Sequence, residues 1–178
     1  SAYLLKVEPG TAFYRSPPAG LPDGDAAADF YLYAVQQLEA AGYRQYEISN
    51  FARPGHEGRH NLLYWNCNDY WGIGPAAHSC VDNVRRFWPG DVQGFIDGTI
   101  HEEIEGDCTV EDYLLMQLRL ASGLDIAEYE RRGGRFTAAQ RAFMRQCVGH
   151  GYATLDGNVF RLAPAGMVVQ NAILAELM

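Results

Sequence analysis

The spacing of apolar and polar residues predicts a strand, a helix and a second strand at the start of the chain. Residues 3–7 form a short apolar run typical of a buried strand, and residues 25–41 have the period of an amphipathic helix. Gly42 is expected to end this helix, and residues 43–48 predict the next strand. The residues predicted to face inward from the helix are Phe30, Tyr33, Ala34, Leu38 and Ala41. This order predicts a βαβ unit with parallel strands.

The middle of the chain predicts a β-hairpin followed by a short helix. Residues 78–81 and 84–88 flank Asp82-Asn83, which suits a two-residue turn. The helix is expected over residues 91–97, and residues 101–108 are interpreted as an acidic connection. We therefore predict two domains, of residues 1–100 and residues 101–178.

The second domain is expected to be mainly helical. Thr109 with Asp112 resembles a capping box for a helix that reaches about residue 121, and Thr137 with Gln140 is another. Asp125 is expected to cap a helix between them that ends at residues 133–134. The residues predicted to face inward from the third helix are Phe143, Cys147 and Val148. Strands at 152–155 and 159–162 and a final helix, starting near Pro164 and ending at 177, complete a winged-helix-like pattern.

The residues between the two predicted regular regions carry the candidate chemistry. YEISNFARPG at 46–55 is followed by HNLLYW at 60–65 and GIGPAAHS at 72–79. His60 is a candidate ligand of haem iron, and the alternative is a loop histidine bonded to nearby backbone. Tyr64 and Trp65 could stack on a flat ligand, although large aromatic residues are more often part of a core.

Four other residues have both a functional and a structural interpretation. His78 is expected to be buried beside the Gly72–Gly74 turn, with its nitrogens bonded. Glu47 could face a cavity, but a structural pair with Arg53 across the turn is favoured. Cys67 could ligate haem as a thiolate, whereas an isolated cysteine is more often a small buried apolar residue. His56 is expected to face solvent.

In their order and spacing, these three patterns closely resemble the coproporphyrinogen-oxidase-like radical SAM proteins. Within that family HNLLYW is similar to the HNxxYW pattern of the HemW-type haem chaperones. The resemblance implies a fold of mixed class, α/β plus α+β. The first domain would close an incomplete β/α radical SAM barrel, and a winged-helix-like domain would follow. The alternative is the C-terminal part of an oxygen-independent coproporphyrinogen III oxidase, a coproporphyrinogen dehydrogenase.

The resemblance also implies a haem site and a set of partners. Its haem-binding residues would be His60, Asn61, Tyr64, Trp65, Gly72 and Gly74, with His60 on the iron. The parent would bind a [4Fe–4S] cluster and S-adenosylmethionine and deliver haem to acceptor proteins. The family's CxxxCxxC motif is missing, since the only cysteines are at 67, 80, 108 and 147. We therefore interpret the chain as the C-terminal portion of a longer protein and expect no catalytic turnover from it alone.

The composition of the chain limits which partners and which cellular compartment are expected. A net charge of −8 argues against non-specific nucleic-acid binding, and Arg141 and Arg145 give only a fragment of a basic helix face. No apolar run is long enough for a membrane span. Four unpatterned cysteines are typical of the cytoplasm. If residues 3–7 are an exposed barrel edge, self-association through that edge is expected.

Overall fold

The computed structural model describes all residues 1–178, and it begins with helices rather than with a strand. Thr11 caps the short helix α1 (Ala12–Arg15), and Asp23 caps the long helix α2 (Gly24–Ala40). Gly42 has a φ of +83° and allows the chain to turn after α2, as predicted. The chain then forms β1 (Arg44–Glu47) and β2 (Asn50–Ala52), which pair with each other in an antiparallel hairpin.

The predicted strand at residues 3–7 is not formed, and the predicted parallel βαβ unit is therefore wrong. Tyr3, Leu4 and Leu5 are exposed, and one backbone hydrogen bond, from Ala2 N–H to the Ser49 carbonyl, joins this segment to β1–β2. A strand is defined by its partner, and β1 pairs with β2 instead. An apolar run alone therefore did not determine this element.

The face that α2 buries also differs from the prediction. Tyr31 and Val35 are buried, while Phe30 and Tyr33 are exposed. The Tyr31 hydroxyl contacts the Met167 sulfur at 3.3 Å, so α2 packs against the end of the chain and not against a sheet formed by residues 3–7. Ala34 and Leu38 of the predicted stripe are half-buried, so the buried face is rotated by about one residue from the prediction.

The middle of the chain is a helix followed by a three-stranded sheet. The elements are α3 (Arg59–Trp65), β3 (His78–Val81), β4 (Val84–Phe87), α4 (Val92–Asp97) and β5 (Glu103–Asp107). The predicted hairpin is confirmed, because Asp82 and Asn83 both have positive φ, as a two-residue turn of this kind requires. The predicted connection at 101–108 is wrong, since β5 pairs antiparallel with β4. The pairing depends on residues about twenty positions away, so no pattern within residues 101–108 indicates the strand.

The last part of the chain contains five helices and the third sheet. The elements are α5 (Val110–Gln117), β6 (Leu124–Asp125), α6 (Ile126–Arg131), α7 (Ala138–Gly149), β7 (Ala153–Asp156), β8 (Val159–Leu162), α8 (Pro164–Val168) and α9 (Gln170–Leu177). Both capping boxes are confirmed. Three details were wrong: α5 ends before residue 121, Met144 is buried in place of Val148, and the final helix is split into α8 and α9.

One hydrophobic core lies under the C-terminal elements and reaches α2. Leu114, Leu124 and Phe160 are fully buried in it, and Tyr31 and Val35 of α2 belong to the same cluster. The proposed division at residue 101 stays a prediction, but this core includes side chains from both sides of it. None of the nine helices combines the length and the hydropathy that a membrane-spanning segment needs.

Candidate functional site

The HNLLYW sequence lies on helix α3 and not on a loop. The helix starts after Gly58 and ends at Trp65, and the side-chain amide of the following residue, Asn66, donates to the Leu62 carbonyl. His60 and Tyr64 are four residues apart and therefore share one face of the helix. His60 is exposed and Tyr64 is half-buried. The helix thus presents the imidazole to solvent with a phenol behind it.

A row of three rings extends inward from His60. The Tyr64 hydroxyl lies 3.0 Å from Nδ1 and 3.2 Å from Nε2 of His60, and the two rings meet edge to face at 4.9 Å. The Tyr64 ring meets Tyr70 edge to face at 4.4 Å. Tyr70 exchanges backbone hydrogen bonds with Cys80 of β3, which ties this row to the central sheet. Sequence reasoning missed Tyr70, because it belongs to none of the three motifs.

Asn61 and Trp65 are anchored from elements distant in sequence. The Asn61 amide donates to the Tyr46 hydroxyl at 3.3 Å. The Gln117 amide donates to the Trp65 carbonyl at 2.8 Å, and the Arg119 guanidinium lies 5.7 Å from the centre of the Trp65 ring. These contacts fix the C-terminal end of α3 against α5. The sequence gave no signal for the roles of Gln117 and Arg119.

Glu47, the last residue of β1, is buried, and its expected pairing with Arg53 is wrong. The carboxylate is 1% exposed, and its Oε1 has no hydrogen-bond partner. Arg53 instead lies 5.5 Å from the Tyr43 ring centre, on the outside. Burial raises the pKa of Glu47, and hydrogen bonds from Asn50 and from the backbone of Ser49 and Asn50 oppose that rise, as does the charge of Arg119.

We expect Glu47 to make the stability of the protein depend on pH. Because its folded-state pKa is raised, the folded protein holds this proton more tightly than the unfolded chain. The resulting stabilisation is present below the ordinary glutamate pKa and is lost as pH rises through the raised value. The free energy of unfolding of the wild type should therefore fall relative to Glu47→Gln over that window.

Urea unfolding from about pH 4 to about pH 7 measures this difference. Glu39→Gln, at an exposed position of α2, is the matched control and should follow the wild type. A wild-type minus Glu47→Gln difference that stays constant with pH would contradict the assignment.

The glycine turn after Tyr70 brings a second histidine to the surface. Gly72 packs so closely on β3 that a Cβ there would collide with the His78 carbonyl, and its N–H donates to the Ser79 hydroxyl at 3.0 Å. Gly74 has a φ of +111°, which favours glycine. The expectation that His78 is buried is wrong, since its side chain is 54% exposed. The tight turn holds its backbone and leaves its ring free of the core.

Cys67 follows α3 in a strained left-handed conformation, with a φ of +50°. Burial, together with the neighbouring Cys108 thiol, raises the pKa of Cys67 to about 12. The metal-free group is therefore a neutral thiol at physiological pH, which fits its interpretation as a small, partly buried apolar residue.

No protein-family model matches the chain. It is 33% identical over 190 residues to the protein named "Heme chaperone HemW" of Mycobacterium tuberculosis (strain CDC 1551 / Oshkosh), covering 100% of this chain and 47% of that protein. Its identity to "Heme chaperone HemW" of Escherichia coli (strain K12) is 32%, covering 98% of this chain and 48% of that protein. The chain thus spans about half the length of these relatives.

The chain is also similar to two proteins described as radical SAM proteins. A mouse protein named "Radical S-adenosyl methionine domain-containing protein 1, mitochondrial" is 47% identical over 118 residues, which are 65% of this chain and 25% of that protein. The solved structure of coproporphyrinogen III oxidase (HemN) from Escherichia coli, described as a radical SAM enzyme, has a TM-score of 0.61 and 16% identity. The match covers 89% of this chain and 42% of that one, and it shows a shared mixed α/β fold.

Similarity over the entire chain therefore supports what the HNLLYW pattern predicted. Relatives with the same name in two distant bacteria match this chain almost from end to end. The chain belongs to the family of the proteins named heme chaperone HemW.

Proposed function

We propose that the full-length parent is a haem-binding chaperone and that this portion carries its haem-docking site. The main observation in favour is the exposed His60 imidazole on α3, whose Nδ1 lies 3.0 Å from the Tyr64 hydroxyl. An imidazole that ligates iron through one nitrogen is oriented by a hydrogen bond at the other. The Tyr64 hydroxyl lies within 3.2 Å of both nitrogens, so a rotation of the exposed ring would keep one bonded to Tyr64 and free the other for iron. Relatives named heme chaperone support this assignment.

The other proposed haem contacts lie on the same helix and on the turn that follows Tyr70. Asn61, Tyr64 and Trp65 lie on the same helix, and Tyr64 offers a ring edge beside His60. Gly72 and Gly74 shape the turn that follows Tyr70, close to the end of the aromatic row. Half-buried aromatic side chains next to an exposed metal ligand suit a flat apolar macrocycle.

The parent is further proposed to bind a [4Fe–4S] cluster and S-adenosylmethionine outside this chain, which lacks a CxxxCxxC motif. We also propose that residues 101–178 form a winged-helix-like domain. The order α5, β6, α6, α7 and the hairpin β7–β8, with β8 between β6 and β7, supports that arrangement. Its role would be packing and not nucleic-acid binding, because the chain is acidic.

The proposed partners are haem-acceptor proteins in the cytoplasm. Four free cysteines are compatible with that compartment. Self-association of the isolated chain is proposed through residues 3–7, where Tyr3, Leu4 and Leu5 are exposed. Light scattering across concentrations reports this association directly.

The second candidate is a coproporphyrinogen III oxidase, favoured by the fold shared with HemN. The two are separated by assays on the anaerobically purified full-length parent. A chaperone should bind haem, transfer it to an apo-haem protein, and leave coproporphyrinogen III unchanged in the presence of S-adenosylmethionine and reductant. Decarboxylation of the porphyrinogen without haem transfer would instead establish the oxidase.

A further inference from the structure

Two free cysteines, Cys67 and Cys108, are neighbours in the fold although they are distant in the sequence. The pKa of Cys67 is raised to about 12, first by burial and then by interactions with the Cys108 thiol. The charge of Arg132 acts on the pKa of Cys67 in the opposite direction, and Arg132 lines a surface cavity together with Cys108. Both cysteines are only partly buried, unlike the other two cysteines of the chain. The fold therefore brings two accessible thiols together at one place.

Hydrogen bonds at the two ends of α5 hold the backbone around both cysteines. Cys108 comes just before this helix, and its N–H donates to the Asn83 carbonyl at 2.8 Å. At the other end of α5, the Gln117 amide donates to the Trp65 carbonyl at 2.8 Å, two residues before Cys67. Cys67 itself has a φ of +50°, a left-handed conformation that persists only where the surrounding structure imposes it. The two thiols are therefore neighbours because of contacts that belong to the fold.

A cavity gives small molecules access to Cys108. It encloses about 170 Å³, several times the volume of a water molecule, and it is partly open to solvent. The Arg132 guanidinium lies 4.2 Å from the centre of the Tyr113 ring, which places a positive charge at the cavity wall. Such a charge stabilises an oxyanion that develops during a reaction in the cavity. Besides Cys108, the lining residues are Asn83, Thr109, Val110, Tyr113 and Arg132.

We propose that Cys67 and Cys108 form an oxidisable dithiol, which a small hydroperoxide that enters this cavity converts into a disulfide. The Cys108 sulfur attacks one peroxide oxygen, the O–O bond breaks, and an alcohol or water leaves with the thiol proton, so that a sulfenic acid remains. The Cys67 sulfur then attacks the sulfur of this sulfenic acid, and water leaves as the S–S bond forms. Two electrons and two protons pass from the thiols to the peroxide, so no other reactant is needed.

Cys67 is suited to the second step of this reaction and not to the first. Before oxidation the Cys108 thiol helps to keep Cys67 protonated, and a neutral thiol is a weak nucleophile. Conversion of Cys108 to a sulfenic acid removes that neighbouring thiol, so the pKa of Cys67 should fall when its sulfur is needed. The charge of Arg132 favours the Cys67 thiolate throughout.

The disulfide would join the segment after α3 to the segment before α5. A cross-link between distant parts of a chain restricts its unfolded state, so the oxidised protein should be the more stable form. A cellular dithiol would reverse the reaction by thiol–disulfide exchange, and the few disulfides of cytoplasmic proteins are usually transient ones of this kind. The inference concerns a modification site and does not rest on the proposed binding of haem.

The other two cysteines provide the comparison. Cys80 on β3 and Cys147 on α7 are each 4% exposed. Burial and then the charge of Cys108 raise the pKa of Cys80, which makes Cys80 the competing partner. Burial raises the pKa of Cys147, and no second thiol contributes. A specific dithiol requires that Cys67, and neither of these two, is joined to Cys108.

Peptide mass mapping of the full-length parent tests this pairing without any substitution. The reduced protein is treated with hydrogen peroxide, unfolded in urea with iodoacetamide to block the remaining thiols, and cleaved at arginine and before aspartate. This cleavage separates Cys67 from Cys80, because Asp69 lies between them. We expect a peptide pair joined through Cys67 and Cys108, lighter by two hydrogens than the two reduced peptides, which dithiothreitol separates. Cys80 and Cys147 should remain alkylated.

Cys67→Ser tests the order of the two steps. Without the second thiol the sulfenic acid of Cys108 should persist, and dimedone, which reacts with sulfenic acids, should label Cys108 several-fold more than in the unmutated parent. Cys147→Ser is the matched control, since it removes a cysteine that has no thiol neighbour, and it should leave the joined peptides and the labelling unchanged. Circular dichroism checks that both variants are folded.

Three results would overturn the inference. The first is a link between Cys80 and Cys108 in place of the expected one. The second is full alkylation of both Cys67 and Cys108 after a peroxide dose that oxidises an equal concentration of glutathione. The third is equal dimedone labelling of Cys108 in folded Cys67→Ser and in the unmutated parent. Because every readout is a peptide mass, the outcome is independent of whether the parent binds haem.

Discussion

Replacing His60 by alanine should weaken haem retention by the full-length parent at least about tenfold, and up to on the order of a hundredfold. Loss of only the supporting contacts of a metal ligand already costs that much, and here the ligand itself is removed. Stacking by Tyr64 and Trp65 lacks the directional bond to iron and cannot replace it. The fold should be unchanged, because His60 is exposed and its side-chain hydrogen bond and ring contact are with Tyr64, on the same helix.

Soret-band titration measures this loss beside two other variants. Tyr64→Phe removes the hydroxyl that lies 3.0 Å from the imidazole and should weaken binding less than His60→Ala. His78→Ala should also cost less, because this imidazole lies on β3 and not on α3. If His60→Ala binds haem as the parent does, with normal circular dichroism, His60 is not the ligand and the aromatic residues of α3 become the candidates.

Much of the local structure could be predicted, because its determinants are neighbours in the sequence. The turn at Asp82 and Asn83 and the capping boxes at Thr109 and Thr137 each depend on residues within four positions of one another. Strand β5 and the missing strand at residues 3–7 depend on which distant segment pairs with them. No periodicity within those segments contains that information.

The candidate site also combines residues that the sequence motif identified with residues from distant segments that it did not. The motif identified α3 and its histidine, but the residues that hold the helix come from elsewhere. Gln117 ends α5 and Arg119 follows it, and Tyr70 is held beside Tyr64 by its backbone bridge to Cys80. His78 was misjudged because a tight glycine turn suggested burial. The turn buries the backbone at that point, while the strand pairing directs the ring to the surface beside Glu105.

Leu114→Ala should lower the free energy of unfolding by about 2–5 kcal/mol, since Leu114 is fully buried and its loss leaves a cavity. The effect should extend across residue 101, because Leu114 shares a core with Tyr31 and Val35 of α2. Gln117, three residues beyond Leu114, also anchors the carbonyl of Trp65. Loosening α5 should therefore loosen the end of the proposed haem helix as well.

The chain offers separate probes for its two halves. All three tryptophans, at 65, 71 and 88, lie before residue 101, whereas five of the nine helices follow it. Tryptophan fluorescence and far-ultraviolet circular dichroism should report the same lowered midpoint in Leu114→Ala. Leu155→Ala, at a 42% exposed position of β7, should change neither. A dichroism transition that moves while the fluorescence midpoint does not would mean that the shared core fails to couple the halves, and residues 1–100 and 101–178 would then fold as separate domains.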